Sequence, residues 1–380
     1  MLLALLLTIL VLRRQQHAPV DLVVQSEPGL NQAPTLADLW AGRADFVLEV
    51  ADTGLPMGES ETIAHIEGDF WSYVHASQRS AGIIDGCGEP VEFPGCVVIY
   101  QSGDQGVSFA PPVSSACQMA CRQCPCDSSV DHIDQQQYPA VAVHDSGMLL
   151  VYEYRGRVML RRSRDGLEWS QPEPVGYSGV WYEGLRGCQP EERVNEHPFM
   201  PREVDCLAGA PPGIHIDGEI VYVFVGLGQN PGSMGCFRGR VSDYAGRYQP
   251  CEANPLFTGA ADYGPLNASG EAANPFFDFR TISSAEVQQV GDRYYMLYEG
   301  IRGPEPGSGG DSQFGLGLAR SQPGVIDAPW ETHAGNPILA DLPGNIGLGH
   351  ADLLVLEGVT YLYTSLDGER RSRLRLVWND

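Results

Sequence analysis

Lysine is absent. All 24 basic residues of this 380-residue chain are arginine, so chemistry through a lysine Schiff base is excluded. A GC-rich genome with an acidic secreted proteome accounts for the missing lysine without appeal to function. Positive charge of any kind is scarce: 48 acidic residues against 24 arginines leave a net charge of −24 and a pI near 4.6. Binding to nucleic-acid phosphates needs basic stripes, so the charge disfavours nucleic acid, which is not expected as a partner, and anionic membrane surfaces as well.

Long hydrophobic runs are lacking too. LLALLLTILVL at residues 2–12 is shorter than the roughly 20 residues of a membrane-spanning helix. Its length suits the apolar region of a signal peptide, although no positive region precedes it and Arg13-Arg14 follows. Residues 1–25 are therefore read as a signal peptide or a short uncleaved anchor. Either reading makes the protein secreted, periplasmic or cell-surface, and membrane contact is confined to this segment. The chain has no long amphipathic helix pattern and no G-x-S-x-G, HExxH or P-loop motif.

What is present is rich in turns and cysteine. Ten cysteines in loop-like sequence point to disulfides in an exported chain. Cys87/Cys96, Cys188/Cys206 and Cys236/Cys251 are natural local pairs. The cluster CQMACRQCPC at 117–126 pairs within itself on this reading, and its thiolates could instead hold zinc or an iron–sulfur cluster.

The strongest local signal lies in TISSAEVQQVGDRYYMLYEG, residues 281–300. A strand from Ser284 to Val290, a tight Gly291-Asp292 turn and the aromatic return RYYMLY make a β-hairpin. The same chemistry recurs at Gly68, Gly147, Gly218 and Gly358, at intervals of 79, 71, 73 and 67 residues. Five such units are a repeat architecture, and the sequence predicts an all-β, five-bladed β-propeller over residues 58–380. Segments 110–135, 176–212, 226–280 and 301–313 read as long loops, a length usually tied to function. SGDQGVSF (102–109) and SRDGLEW (163–169) match the Asp-box turn, so Asp104 and Asp165 are assigned to bracing turns rather than to catalysis.

The last unit is one strand short. A closed ring abolishes sheet edges, so ADFVLEV (44–50), within a 26–57 segment of linker and short helix (TLADLW), is expected to supply the missing strand and close the ring.

In a propeller the first strand of each blade lines the central channel. The candidates for chemistry are therefore the polar residues ahead of each turn: Glu59 and Glu61, then Asp131, His132 and Asp134, then His215 and Asp217, Glu286, and finally His350 and Asp352. A ring of carboxylates around one cavity suits glycoside hydrolysis, which needs a protonated acid and an ionised partner.

The five units, each with an apolar-x-x-G-x-x-Y-x-apolar core, resemble the five-bladed glycoside hydrolases: the family 43 arabinanases and xylosidases and their relatives, the invertases, levansucrases and mannoside phosphorylases. The resemblance covers roughly residues 58–380. It implies a general acid at the start of the fourth blade, where Glu286 stands in SAEVQQVGDRYYMLY. It also implies a fifth-blade histidine that holds a central metal or water in some members, like His350 in GLGHADL. The first-blade Asp-Pro of that group is replaced by Ser60-Glu61-Thr62, and the third-blade aspartate has no clear equivalent, since Asp217 lies at the turn. Glu286, Glu61, Asp134 and Asp352 are thus the catalytic candidates, and His350, His132, His215 and Arg280 the substrate-binding ones. No cofactor or catalytic metal is expected, with a structural calcium in the channel as the one ion admitted. The expected protein is a monomeric exported glycosidase acting on poly- or oligosaccharides. The alternative is a non-catalytic propeller that binds glycan or protein. The discriminating feature is Glu286: in an enzyme it and a second carboxylate face the same cavity about 5 to 10 Å apart, and in a binding module it points outward or stands alone.

Overall fold

All five glycine turns close hairpins in a computed structural model of the chain, with Gly68, Gly147, Gly218, Gly291 and Gly358 at positive φ. Glycine alone enters that region freely. The structure describes residues 33–55, 60–66, 68–75, 97–110, 137–154, 157–175, 212–227, 231–261, 277–302, 313–340, 350–366 and 371–379.

Five antiparallel sheets follow one another along the chain. Blade 1 holds Ser60–Ile66, Asp69–His75 and Val97–Ser102. Blade 2 holds Gln137–His144, Gly147–Tyr154, Arg157–Ser163 and the short Glu173–Pro174. Blade 3 is built on Gly213–Asp217, Ile220–Leu227 and Ser233–Arg240, and blade 4 on Thr281–Val290, Arg293–Arg302 and Gln313–Arg320. Short strands pair with the outer side of the third strand in both. Blade 5 has Asp352–Leu356, Val359–Thr364 and Ser372–Trp378. The first strand of each blade adjoins the first strand of the next, and that of blade 5 returns to that of blade 1. The chain is a closed five-bladed β-propeller.

The ring closes as expected. Ala44–Val50 pairs antiparallel with Ser372–Trp378, from Ala44 opposite Trp378 to Val50 opposite Arg373. The helix Leu36–Trp40 precedes it, its first turn fastened by the Asp38 carboxylate, which accepts from the Thr35 N–H and hydroxyl. The Leu36 N–H donates to Gln288 of blade 4, whose amide in turn reaches Thr360 of blade 5.

The second strand of every blade contributes one fully buried aromatic: Tyr73, Tyr152, Phe224, Tyr298 and Tyr363. Two of them tie neighbouring blades through the Asp-box turns. The Tyr73 hydroxyl donates to the Gly166 carbonyl of blade 2, and the Tyr363 hydroxyl to the Gly106 carbonyl of blade 1. Inside the first of these turns, Asp104 accepts from the Ser102 hydroxyl and from the Ser108 hydroxyl and N–H. Asp165 likewise accepts from the Leu167 and Glu168 N–H groups. Both are turn braces.

Two sequence expectations are corrected. The inner strand of blade 4 starts at Thr281, three residues before the predicted start, and passes through a bulge between Ser283 and Ala285. The segment 226–280 is not one long loop, because SMGCFRGR within it is the third strand of blade 3. Its glycines hid it. A Cβ on Gly239 would come within 2.0 Å of the Tyr248 ring, so glycine is what lets that ring lie flat on the strand. Cys236 and Cys251 form the predicted disulfide at the same place. The other eight cysteines lie outside the described residues.

Candidate active site

Glu286 is half-buried midway along the inner strand of blade 4. Removal from water pushes its carboxyl well above the usual range. The charge of Asp352 on blade 5 adds to this, and the Leu353 N–H opposes it. Asp352 is therefore near enough to act electrostatically on Glu286. Two carboxyls whose surroundings push their pKa values apart can take opposite protonation states at one pH.

Asp352 is itself only 2% exposed. One carboxylate oxygen accepts from the Thr62 hydroxyl at 3.0 Å and the other from the Ile63 N–H at 2.7 Å, both on blade 1. Thr62 also accepts from the Val141 N–H of blade 2 at 3.3 Å. A hydrogen-bonded belt thus runs from blade 2 through blade 1 to blade 5 and ends beside Glu286. Asp352 is thus a buried carboxylate fixed between blades 5 and 1.

Glu61 lies one residue before Thr62, paired with Val74, so its backbone is next to this belt. Arg280 stands just before the inner strand of blade 4, its N–H donating to the Ile301 carbonyl. His132 and Asp134 lie outside the described residues. His215 is drawn away from the pair. Its ring packs edge-on against Tyr294 at 5.7 Å, and Tyr294 is opposite Gln289, three residues further along the strand than Glu286. Burial lowers the His215 pKa to about 4 against the pull of Asp217, so it is a neutral group in the seam between blades 3 and 4.

His350 enters blade 5 at φ +60, two residues before Asp352. Its N–H donates to the Glu299 carboxylate at 2.6 Å, and its Nδ1 lies 3.4 Å from the same oxygen. The ring tilts against Tyr138 of blade 2 at 4.8 Å. Tyr138 and Ser284 also hold positive φ, at 53° and 47°. Three non-glycine residues in this region, at the entries of three inner strands, mark a locally strained rim of the kind that clusters at functional sites.

Glu299 escaped sequence reading. It closes the apolar run MLYE in the second strand of blade 4, and VYE ends the matching strand of blade 2. Glu153 and Glu299 are both fully buried. A carboxylate repeated after the buried tyrosine was the available signal.

Among the described residues, no group of three or more His, Cys, Asp or Glu is disposed to hold a metal ion.

No family model matches the chain, and no curated protein does. Solved structures do. The chain is similar in fold to family-43 glycoside hydrolases. A Cellvibrio cellulosa α-L-arabinanase complexed with arabinohexaose is 16% identical over 87% of this chain and 92% of its own, with a TM-score of 0.45. An endo-arabinase from Bacteroides thetaiotaomicron is 14% identical, covering 88% and 98%, with a TM-score of 0.47. A thermostable family-43 glycoside hydrolase is 14% identical, covering 84% and 92%, at 0.47. At these values the likeness carries no argument about chemistry, which rests on this chain's own residues.

Proposed function

We propose that the protein is an exported glycoside hydrolase acting on a poly- or oligosaccharide, with Glu286 as its general acid. The observation that carries this reading is the half-buried Glu286 carboxyl on an inner strand, raised by loss of water and by the charge of Asp352 on the neighbouring blade. A carboxyl kept protonated near neutral pH can hand its proton to a glycosidic oxygen as the bond to the anomeric carbon breaks. The charge of Asp352, whose carboxylate Thr62 and Ile63 hold in place, favours the protonated form of Glu286. The ionised partner that completes the reaction, acting on water or on the anomeric carbon, comes from Glu61 or Asp134. Export is supported by the Cys236–Cys251 disulfide, since such bonds persist in oxidising compartments.

Turnover of a panel of aryl glycosides and plant or microbial polysaccharides, with Glu286→Gln alongside, tests the reading. Loss of at least about 100-fold in kcat is expected, in keeping with removal of a general acid. Undiminished hydrolysis by the variant would remove Glu286 from the role. Glycan binding without any turnover would leave the non-catalytic propeller.

A further inference from the structure

A cavity of about 550 Å³ lies between blades 2 and 3, within the size range that takes a small-molecule ligand. Its walls are the Gly147 turn, the Asp-box turn of blade 2, and Val241-Ser242 just past the third strand of blade 3. All three stand where a first or a third strand ends, whereas His350 precedes the start of an inner strand. The cavity shares no residue with the surroundings of Glu286 and Asp352.

Two arginines and two carboxylates line it. One of each is already engaged. Arg162 donates across the seam to the Val241 and Asp243 carbonyls, and Asp165 accepts from the Leu167 and Glu168 N–H groups. Arg164 and Glu168 are different: both are exposed, and among the described residues neither side chain has a hydrogen bond or an ion pair, even with the other.

In a chain of net charge −24, a cavity with as many arginines as carboxylates suits a neutral ligand. An anion would meet Asp165 and Glu168, and a cation would meet Arg162 and Arg164. The two unpaired groups supply a planar donor fork and a two-oxygen acceptor. Ser242 is exposed beside them, and the Ser146 hydroxyl keeps hydrogen-bonding capacity beyond its bond to His144 Nδ1. Met148 and Val241 add apolar surface. The ligand that matches this set carries several hydroxyls, each able to donate and accept, on a neutral carbon frame. A free amino acid would satisfy Arg164 and Glu168 with its two ends and leave the serines unused.

We propose that this cavity is a saccharide-binding site separate from the candidate active site, in which Arg164 and Glu168 hold neighbouring hydroxyls of a neutral oligosaccharide. The site stands whether or not Glu286 cleaves glycosides.

Calorimetric titration of the full-length Glu286→Gln protein, chosen to keep the probes intact, with xylo-, arabino-, cello- and mannotetraose tests it. At least one tetrasaccharide is expected to bind, with a component that Arg164→Ala and Glu168→Ala each weaken about tenfold or more, in keeping with loss of hydrogen bonds to a charged group. Both side chains are exposed and unbonded, so both variants should fold. No binding by any probe, or binding that either substitution leaves unchanged, overturns the site. So does binding of free glycine or of citrate through the same two residues with none of the sugars, which would make the ligand a zwitterion or an anion. Arg164→Ala in the otherwise wild-type chain should hydrolyse small aryl glycosides at an unchanged rate, and a loss of kcat would overturn the separation from the active site. A wild type that hydrolyses nothing defeats the glycosidase reading alone and leaves the titrations to rule on the cavity.

Discussion

The hydroxyl of Tyr363 donates to the carbonyl of Gly106 at 3.0 Å across 257 residues of chain. It joins the buried wedge of blade 5 to the Asp-box turn of blade 1, as Tyr73 joins blade 1 to the turn of blade 2 at Gly166. The turns are therefore part of how the blades hold together, and their aspartates stabilise the ring from outside the channel.

Asp104→Ala should lower stability by about 1 kcal/mol, since its hydrogen bonds lie at a largely solvated turn. Burial raises the Asp104 carboxyl, and together the Ser108 hydroxyl and N–H and the Ser102 hydroxyl outweigh it and hold it down to about 2. A depressed carboxyl contributes stability that is present above its ordinary value of 3.8 and disappears as pH falls through about 2. Urea unfolding at pH 7 and at pH 2 should show the wild-type advantage only at the higher pH.

Glu286→Gln should stabilise the protein at neutral pH, by on the order of 1 kcal/mol, as removal of a strained functional group commonly does. The direction follows from linkage. A carboxyl raised in the folded state above its ordinary 4.5 contributes stability that is full below that value and is lost as pH rises toward the folded pKa. Glutamine does not titrate, so the variant keeps what the wild type loses. Melting temperatures at pH 4 and pH 8 measure it, and a variant less stable than the wild type at pH 8 counts against a raised Glu286.

Asp352→Asn should act in two ways. Weakening its bonds to Thr62 and Ile63 should cost about 2 kcal/mol, as for hydrogen bonds to a charged group. Removing the negative charge beside Glu286 should let the acid ionise more readily, so the alkaline limb of the hydrolysis profile moves to lower pH. A pH–rate profile measured on folded variant separates the second effect from the first.

The Cys236–Cys251 bridge closes a 15-residue separation between the third strand of blade 3 and the following turn. A loop of that size is stabilised by about 3 kcal/mol when cross-linked. Guanidinium unfolding with and without reductant should show a loss of this order, and the Cys236→Ser/Cys251→Ser double variant should match the reduced wild type.

The sequence by itself determined the hairpins, their number and the closing strand. Each depends on local chemistry repeated at a steady interval: a glycine that tolerates positive φ, an aromatic return strand, and a last unit short by one β-prone run that ADFVLEV supplies. It also singled out Glu286, because a carboxylate without a basic neighbour in an inner strand is visible in one dimension. What only the tertiary structure decided was which groups meet. Asp352 lies 290 residues from the Thr62 hydroxyl that fixes it, and Glu299 lies 51 residues from His350. His215 lies on the inner strand of blade 3 with its ring against Tyr294 of blade 4. Those relations depend on how each inner strand is staggered against the next and on a bulge at Ser284, and neither leaves a mark in the residue pattern. Strand SMGCFRGR was missed for the converse reason, since its glycines mark where a neighbouring ring lies flat and carry no β-propensity of their own.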